Sequence, residues 1–174
     1  MSPSFRLEPL SDVHDRGSFN CGQEALDRYL RTQATQDIRR RISTCFVAIE
    51  SGTGQIESGT GQLAAYYTIA AASVVTSELP LEVTKKLPRY QSLPAVRIGR
   101  LAVDLTFQGR GLGAALLADA LQRVLISPPA VFTLLVDAKD DSAVAFYRRH
   151  GFIPLISRPR TLFISIATAE KAWT

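Results

Sequence analysis

The sequence predicts a mixed α/β (α+β) fold built on one sheet, because β-rich runs lead the chain and strands alternate with helices through its middle. With 174 residues, 46% of them hydrophobic, the chain suits a single domain over 1–174 with one continuous core.

The elements follow in order. Phe5-Arg6-Leu7-Glu8 alternates as an edge strand does, and Pro9 stops it. Across residues 24–41, Leu26, Tyr29, Leu30, Ala34 and Ile38 recur at three- and four-residue steps, while Arg28, Arg31, Arg39 and Arg40 fall largely elsewhere on the wheel. That spacing predicts one helix, started at Asn20 or Cys21-Gly22. Residues 44–50 and 63–71 are β-rich and predict a hairpin. Between them, Ile49-Glu50-Ser51-Gly52-Thr53-Gly54-Gln55 repeats unchanged as Ile56-Glu57-Ser58-Gly59-Thr60-Gly61-Gln62. One extra copy is too short for a solenoid and suits a hairpin tip that tolerates insertion, so no function is assigned to it. Residues 79–94 contain Pro80, Pro88 and Pro94 and predict a short helix with a surface loop. An apolar strand at 96–103, a helix at 111–126 stopped by Pro128-Pro129, a buried strand at 131–136, a helix at 142–150 closed by Gly151 and a strand at 162–166 complete the chain.

Composition narrows the function. The net charge of +4 favours polyanions without naming one, and the cations gather at Arg39-Arg40-Arg41, Lys85-Lys86 with Arg89, Arg97 with Arg100, Arg148-Arg149, and Arg158 with Arg160. Any one such cluster, taken alone, reads as a solvated face. Cys21 and Cys45 have no CxxC spacing and no histidine cluster beside them, so they are expected as free thiols in a reducing cytoplasm, with no metal site. The apolar stretches are far shorter than a bilayer span, and residues 1–10 lack an apolar core, so neither a membrane anchor nor an export signal is expected.

The chemistry concentrates in Gln108-Gly109-Arg110-Gly111-Leu112-Gly113, between a strand and a helix. Glycines there admit unusual backbone angles and close approach, the helix start offers unpaired N–H donors at the positive dipole end, and Arg110 adds a cation at the rim; together these suit a phosphate. The same loop satisfies the dinucleotide pattern G-x-G-x-x-A at Gly109, Gly111 and Ala114, with Asp137 as a candidate ribose acid. Against that reading, Asp104-Leu105-Thr106-Phe107-Gln108 separates the strand from the first glycine, and about 60 residues remain, too few for the rest of a nucleotide-binding sheet. No G-x-x-x-x-G-K-[ST] is present to suggest a P-loop NTPase.

Two segments resemble the GNAT N-acetyltransferase superfamily. Residues 108–113 match its [QR]-x-x-G-x-[GA] pyrophosphate loop, and Ala143-Val144-Ala145-Phe146-Tyr147-Arg148-Arg149-His150-Gly151-Phe152 is similar to its A-x-x-[LF]-Y-x-x-x-G-F helix and turn. Phe19-Asn20-Cys21-Gly22 with Leu26-Asp27-Arg28-Tyr29-Leu30, then Gly99-Arg100-Leu101-Ala102-Val103-Asp104 and Val136-Asp137-Ala138-Lys139, resemble the acetyltransferase toxins of type II toxin-antitoxin pairs. Asp140 departs from the superfamily's frequent asparagine, and the duplicated segment lengthens one connection.

The resemblance implies a mostly antiparallel sheet, splayed at its central strands, with helices on both faces. It implies acetyl-CoA as cofactor, held by Gln108, Gly109, Arg110, Gly111, Leu112 and Gly113, by Leu101, Ala102 and Val103 pairing with the pantetheine arm, and by Ala143 and Phe146. Tyr147 becomes the acid that protonates the leaving thiolate. The substrate implied is the α-amine of aminoacyl-tRNA, with translation blocked, a ribbon-helix-helix antitoxin as partner and a homodimer as the assembly. Arg39, Arg40, Arg41, Lys85, Lys86, Arg89, Arg97 and Arg148 are the candidates to hold tRNA phosphates. The resemblance implies that Arg97 occupies the position of a glutamate common in lysine acetyltransferases of this fold, where a cation disfavours protonated lysine. Two other readings stay open: an acetyltransferase for a small amine or a protein N-terminus, and a noncatalytic nucleic-acid or partner-binding module.

Overall fold

A computed structural model describes residues 4–51 and 61–173, so most of the tandem repeat, residues 52–60, lies outside the described residues. The chain forms two compact units, Met1–Ile69 with Arg100–Asp119, and Ala70–Gly99 with Ala120–Thr174. Its strands are β1 (Ser4–Pro9), β2 (Thr44–Ser51), β3 (Leu63–Val75), β4 (Ser92–Val103), β5 (Thr133–Asp137), β6 (Ile153–Pro154) and β7 (Thr161–Ser165). Its helices are α1 (Glu24–Thr32), α2 (Ala34–Arg39), α3 (Leu81–Thr84), α4 (Leu112–Ile126), α5 (Asp141–Arg149) and α6 (Ile166–Trp173). The strand order is β1-β2-β3-β4-β5-β7-β6. β1 with β2, β2 with β3, β5 with β7 and β6 with β7 run antiparallel, and β4 with β5 runs parallel. The mixed, mostly antiparallel sheet expected from the sequence is therefore present.

In the first unit, Leu30, Val47, Ile49, Leu63, Tyr66 and Ala102 form the centre of a buried apolar cluster. Tyr66 meets the edge of Phe19 at 5.5 Å between ring centroids, and its hydroxyl donates to the Leu26 carbonyl at 2.7 Å. The helix expected over 24–41 is divided. Gln33, at φ −119°, ends α1 with its N–H on the Tyr29 carbonyl and opens α2, while its side-chain amide donates to Asp37 at 3.0 Å. Arg41, at φ +59°, closes α2, and the Ile42 N–H bonds the Asp37 carbonyl at 2.9 Å. The apolar stripe continues across the break, which is why periodicity reads one helix. Helix α1 is capped at Gln23 and not at Asn20 or Cys21-Gly22, which form a turn: Asn20 Oδ1 accepts from the Gly22 N–H and Asp27 from the Cys21 N–H.

In the second unit, Val74, Leu93, Ala95, Leu135, Leu155 and Phe163 form the core. The parallel ladder pairs Ala95–Ile98 with Thr133–Val136, and β4 continues to Val103. Four elements depart from the sequence reading: β3 runs on to Val75, β4 starts before Pro94, and β6 and α6 are additional. Both cysteines are buried free thiols. No described helix is long and apolar enough to cross a membrane.

Candidate active site

The glycine loop lies in the first unit, between β4 and α4. Asp104 ends β4 and fixes the approach: its carboxylate accepts from the Thr106 N–H at 2.9 Å and the Asn20 N–H at 2.9 Å, while its own N–H bonds the Ala64 carbonyl at 2.8 Å. Phe107 is buried and packs edge-on against Phe5. The Gln108 side chain then turns back on the protein, donating to the Val103 carbonyl at 2.9 Å and the Cys21 carbonyl at 3.3 Å, so it positions the loop that follows.

Gly109 and Gly111 both adopt left-handed backbone, at φ +80° and +77°, and a Cβ built on either would meet nothing within 4 Å. Their glycine requirement is thus set by torsion, with open space over the backbone. Alternation of left-handed and ordinary residues turns successive N–H groups to one side, and the first-turn donors of α4 have no intrahelical partner. That cradle fits a diphosphate. Arg110 is exposed, with its guanidinium 5.4 Å from the Phe107 ring centroid, available to an anion at the rim.

Tyr147 lies in the second unit, on α5. The helix forms because Asp140 caps it, accepting from the Ala143 N–H at 2.8 Å, and because Gly151 ends it at φ +94°. The departure from asparagine at 140 therefore keeps the capping function. Tyr147 is buried, edge-on to Phe146 at 5.3 Å and Phe152 at 5.5 Å. No hydrogen bond joins its hydroxyl to another described residue. Burial first, and the charge of Asp137 second, push the phenol above its ordinary value, so its proton is held firmly. His150 packs on Phe146 at 4.7 Å between ring centroids; burial and Arg149 lower its pKa and favour the neutral ring.

The basic candidates separate by environment. Arg39, Arg40 and Arg41 are exposed at the end of α2 in the first unit. Lys85, Lys86 and Arg89 are exposed after α3 in the second, as is Arg148 on α5. Arg97 differs, since Nη1 lies 2.8 Å from Asp137. Sequence reasoning offered Asp137 only as a ribose acid in the rejected dinucleotide reading; the parallel ladder, which pairs Arg97 with Leu135, brings the two side chains together. Arg100 likewise is no free surface charge, as its guanidinium carbon stands 3.5 Å over the Tyr29 ring. Among the described residues no group of three or more histidine, cysteine or acidic side chains is placed to hold a metal.

Comparison with known proteins agrees with this geometry. The acetyltransferase (GNAT) domain profile matches residues 84–162. The chain is 34% identical to the tRNA-acetylating toxin of Mycobacterium tuberculosis, over 82% of this chain and 81% of that one. The structure of AtaT complexed with acetyl-methionyl-tRNAfMet is similar at TM-score 0.84 and 31% identity, covering 98% of this chain and 100% of that one. A tyrosine-to-phenylalanine mutant of AtaT, bound to the C-terminus of the antitoxin AtaR and acetyl-CoA, is similar at TM-score 0.76 and 27% identity, covering 98% of each. A left-handed glycine cradle, a capped helix carrying a buried tyrosine, and kinship over most of the length lead to one assignment: the chain belongs to the GNAT acetyltransferases, in the group that contains the tRNA-acetylating toxins.

Proposed function

We propose that this protein is a toxin that transfers the acetyl group of acetyl-CoA to the α-amine of aminoacyl-tRNA and so blocks translation. The observation that carries the reading is the kinship with tRNA-acetylating toxins along most of the chain, joined to a loop whose open, left-handed glycines fit a diphosphate. The backbone of Gly109, Arg110, Gly111, Leu112 and Gly113 holds the diphosphate, with Gln108 bracing the loop, and the backbone of Leu101, Ala102 and Val103 pairs with the pantetheine arm beside Ala143 and Phe146. Acetyl-CoA supplies an acetyl thioester open to attack by an unprotonated amine. An α-amine, with a pKa near 8, is appreciably neutral at physiological pH, so no strong base is required of the protein. Tyr147 then donates its phenolic proton to the departing sulfur. Arg39, Arg40, Arg41, Lys85, Lys86, Arg89 and Arg148 hold tRNA phosphates, and Arg97 acts together with Asp137. A ribbon-helix-helix antitoxin neutralises the enzyme, which works as a cytoplasmic homodimer.

The test is transfer of labelled acetyl from acetyl-CoA to total charged tRNA, comparing wild type with Tyr147→Phe. Label on the aminoacyl group that depends on Tyr147 is the expected result. Unlabelled tRNA alongside acetylation of small amines or protein N-termini moves the function to that substrate class.

A further inference from the structure

The segment joining β3 to β4 lines an open cavity of about 560 Å³ that the acetyl-transfer chemistry does not use. Its frame is rigid for a connection. The Thr76 N–H donates to the Gln91 carbonyl at 3.0 Å, and its hydroxyl donates to the Tyr90 carbonyl at 2.9 Å. These bonds tie the two ends of the segment together. Between them α3 is anchored from below, with Val83 and Leu87 packed on the core of the second unit.

The lining is chemically selective. Lys85 and Arg89 contribute two cations, Thr84 and Gln91 contribute hydrogen-bonding groups, Tyr90 contributes an aromatic ring, and no acidic side chain lines the cavity. Tyr90 is 59% exposed although its ring is large and apolar, a costly disposition for a residue with only a packing role. A face of two cations beside an open aromatic ring is the combination that takes a nucleotide, with phosphate on the cations and base on the ring. The volume lies within the usual range for a small-ligand site, about 300–1,000 Å³.

We propose that this cavity is a nucleotide subsite for an RNA strand, Lys85 and Arg89 holding a phosphate and Tyr90 stacking on an unpaired base. The inference rests on the tRNA reading above and adds to it a place where a base leaves the helical stack. It also separates Lys85 and Arg89, which share a cavity with an exposed aromatic ring, from the cations at the end of α2.

The experiment measures binding of fluorescently labelled total tRNA to the full chain across a salt series, together with competition by adenosine monophosphate. For Tyr90→Ala, affinity is expected to fall roughly tenfold, the loss of one stacked base, while Tyr90→Phe stays near wild type. For Lys85→Ala with Arg89→Ala, the slope of log affinity against log salt is expected to flatten by about one to two. Adenosine monophosphate is expected to compete only weakly. Wild type that binds tRNA, with all variants keeping its affinity and slope, overturns the subsite and leaves the tRNA reading standing. Tight adenosine monophosphate binding lost in Tyr90→Ala, with tRNA binding unaffected, overturns it in favour of a free-nucleotide site. Wild type that neither binds nor acetylates tRNA overturns both.

Discussion

Arg97 Nη1 stands 2.8 Å from each carboxylate oxygen of Asp137, and the Thr161 hydroxyl donates to the same carboxylate at 3.1 Å. The cation that the sequence offered for repelling a protonated amine is therefore matched locally by an anion. Replacing Asp137 with Asn frees Arg97, and affinity for tRNA is expected to rise, with a steeper dependence on salt. Because the Asp137 charge also helps raise the Tyr147 pKa, the alkaline limb of the kcat profile is expected to shift to lower pH in the same variant. The pair is partly exposed, so stability should change by no more than about 1 kcal/mol.

Tyr147→Phe removes the proton donor and leaves the ring packing intact. A fall in kcat of roughly 10² to 10⁴-fold is expected with little change in melting temperature. Linkage gives a second signature. The phenol's pKa is higher folded than unfolded, so its contribution is fully present below about pH 10 and is lost as pH rises towards the folded value. Unfolding titrations above pH 10 should therefore show wild type losing stability faster than the phenylalanine variant. Tyr66, raised by burial, should give the same contrast as Tyr66→Phe after allowance for its lost bond to Leu26.

Gly111→Ala meets no atom, yet must hold φ near +77°. The strain is about 1–2 kcal/mol, and relaxing it turns the loop's N–H groups away from the phosphate. The expected result is a KM for acetyl-CoA raised about tenfold or more, read by steady-state kinetics, with a melting temperature lowered by a few degrees.

Asp37 is buried where α1 and α2 meet, and hydrogen bonds from Gln33 first and Tyr29 second lower its pKa. A depressed carboxyl stabilises the fold above its unfolded value, near pH 4, and loses that contribution as pH falls towards the folded one. Urea unfolding from pH 6 to 3 should show a steep acid decline in wild type and a flatter one in Asp37→Asn.

The Cys45 thiol is pushed up to about 12, chiefly by burial. At pH 8 it is almost wholly protonated, so iodoacetamide should leave it unmodified in the folded protein and alkylate it promptly in urea, as mass spectrometry will register.

The glycine loop was legible in the sequence because a local rule governs it, glycines before a helix, whereas Tyr147 was singled out only through the family resemblance. Helix α5 was placed nearly to the residue, since Gly151 announces its end. The break at Gln33 was not legible, because apolar spacing is indifferent to a single interrupted hydrogen bond. Strand β6 has two residues and α6 has eight, both too short for their periodicity to stand out. The partners of Arg97 and Arg100 lie forty or more residues away in sequence and follow only from pairing across strands and packing of helix on sheet.

Gly109 and Gly111 impose a constraint of handedness. An L-residue is strained there by torsion alone, whereas the mirror-image amino acid prefers the same angles. D-alanine introduced at either position by chemical synthesis would keep the cradle's shape while narrowing the unfolded chain's freedom, so the loop would be stiffer before its ligand arrives. The phosphate cradle can thus be rigidified through chirality where every natural side chain would disturb it.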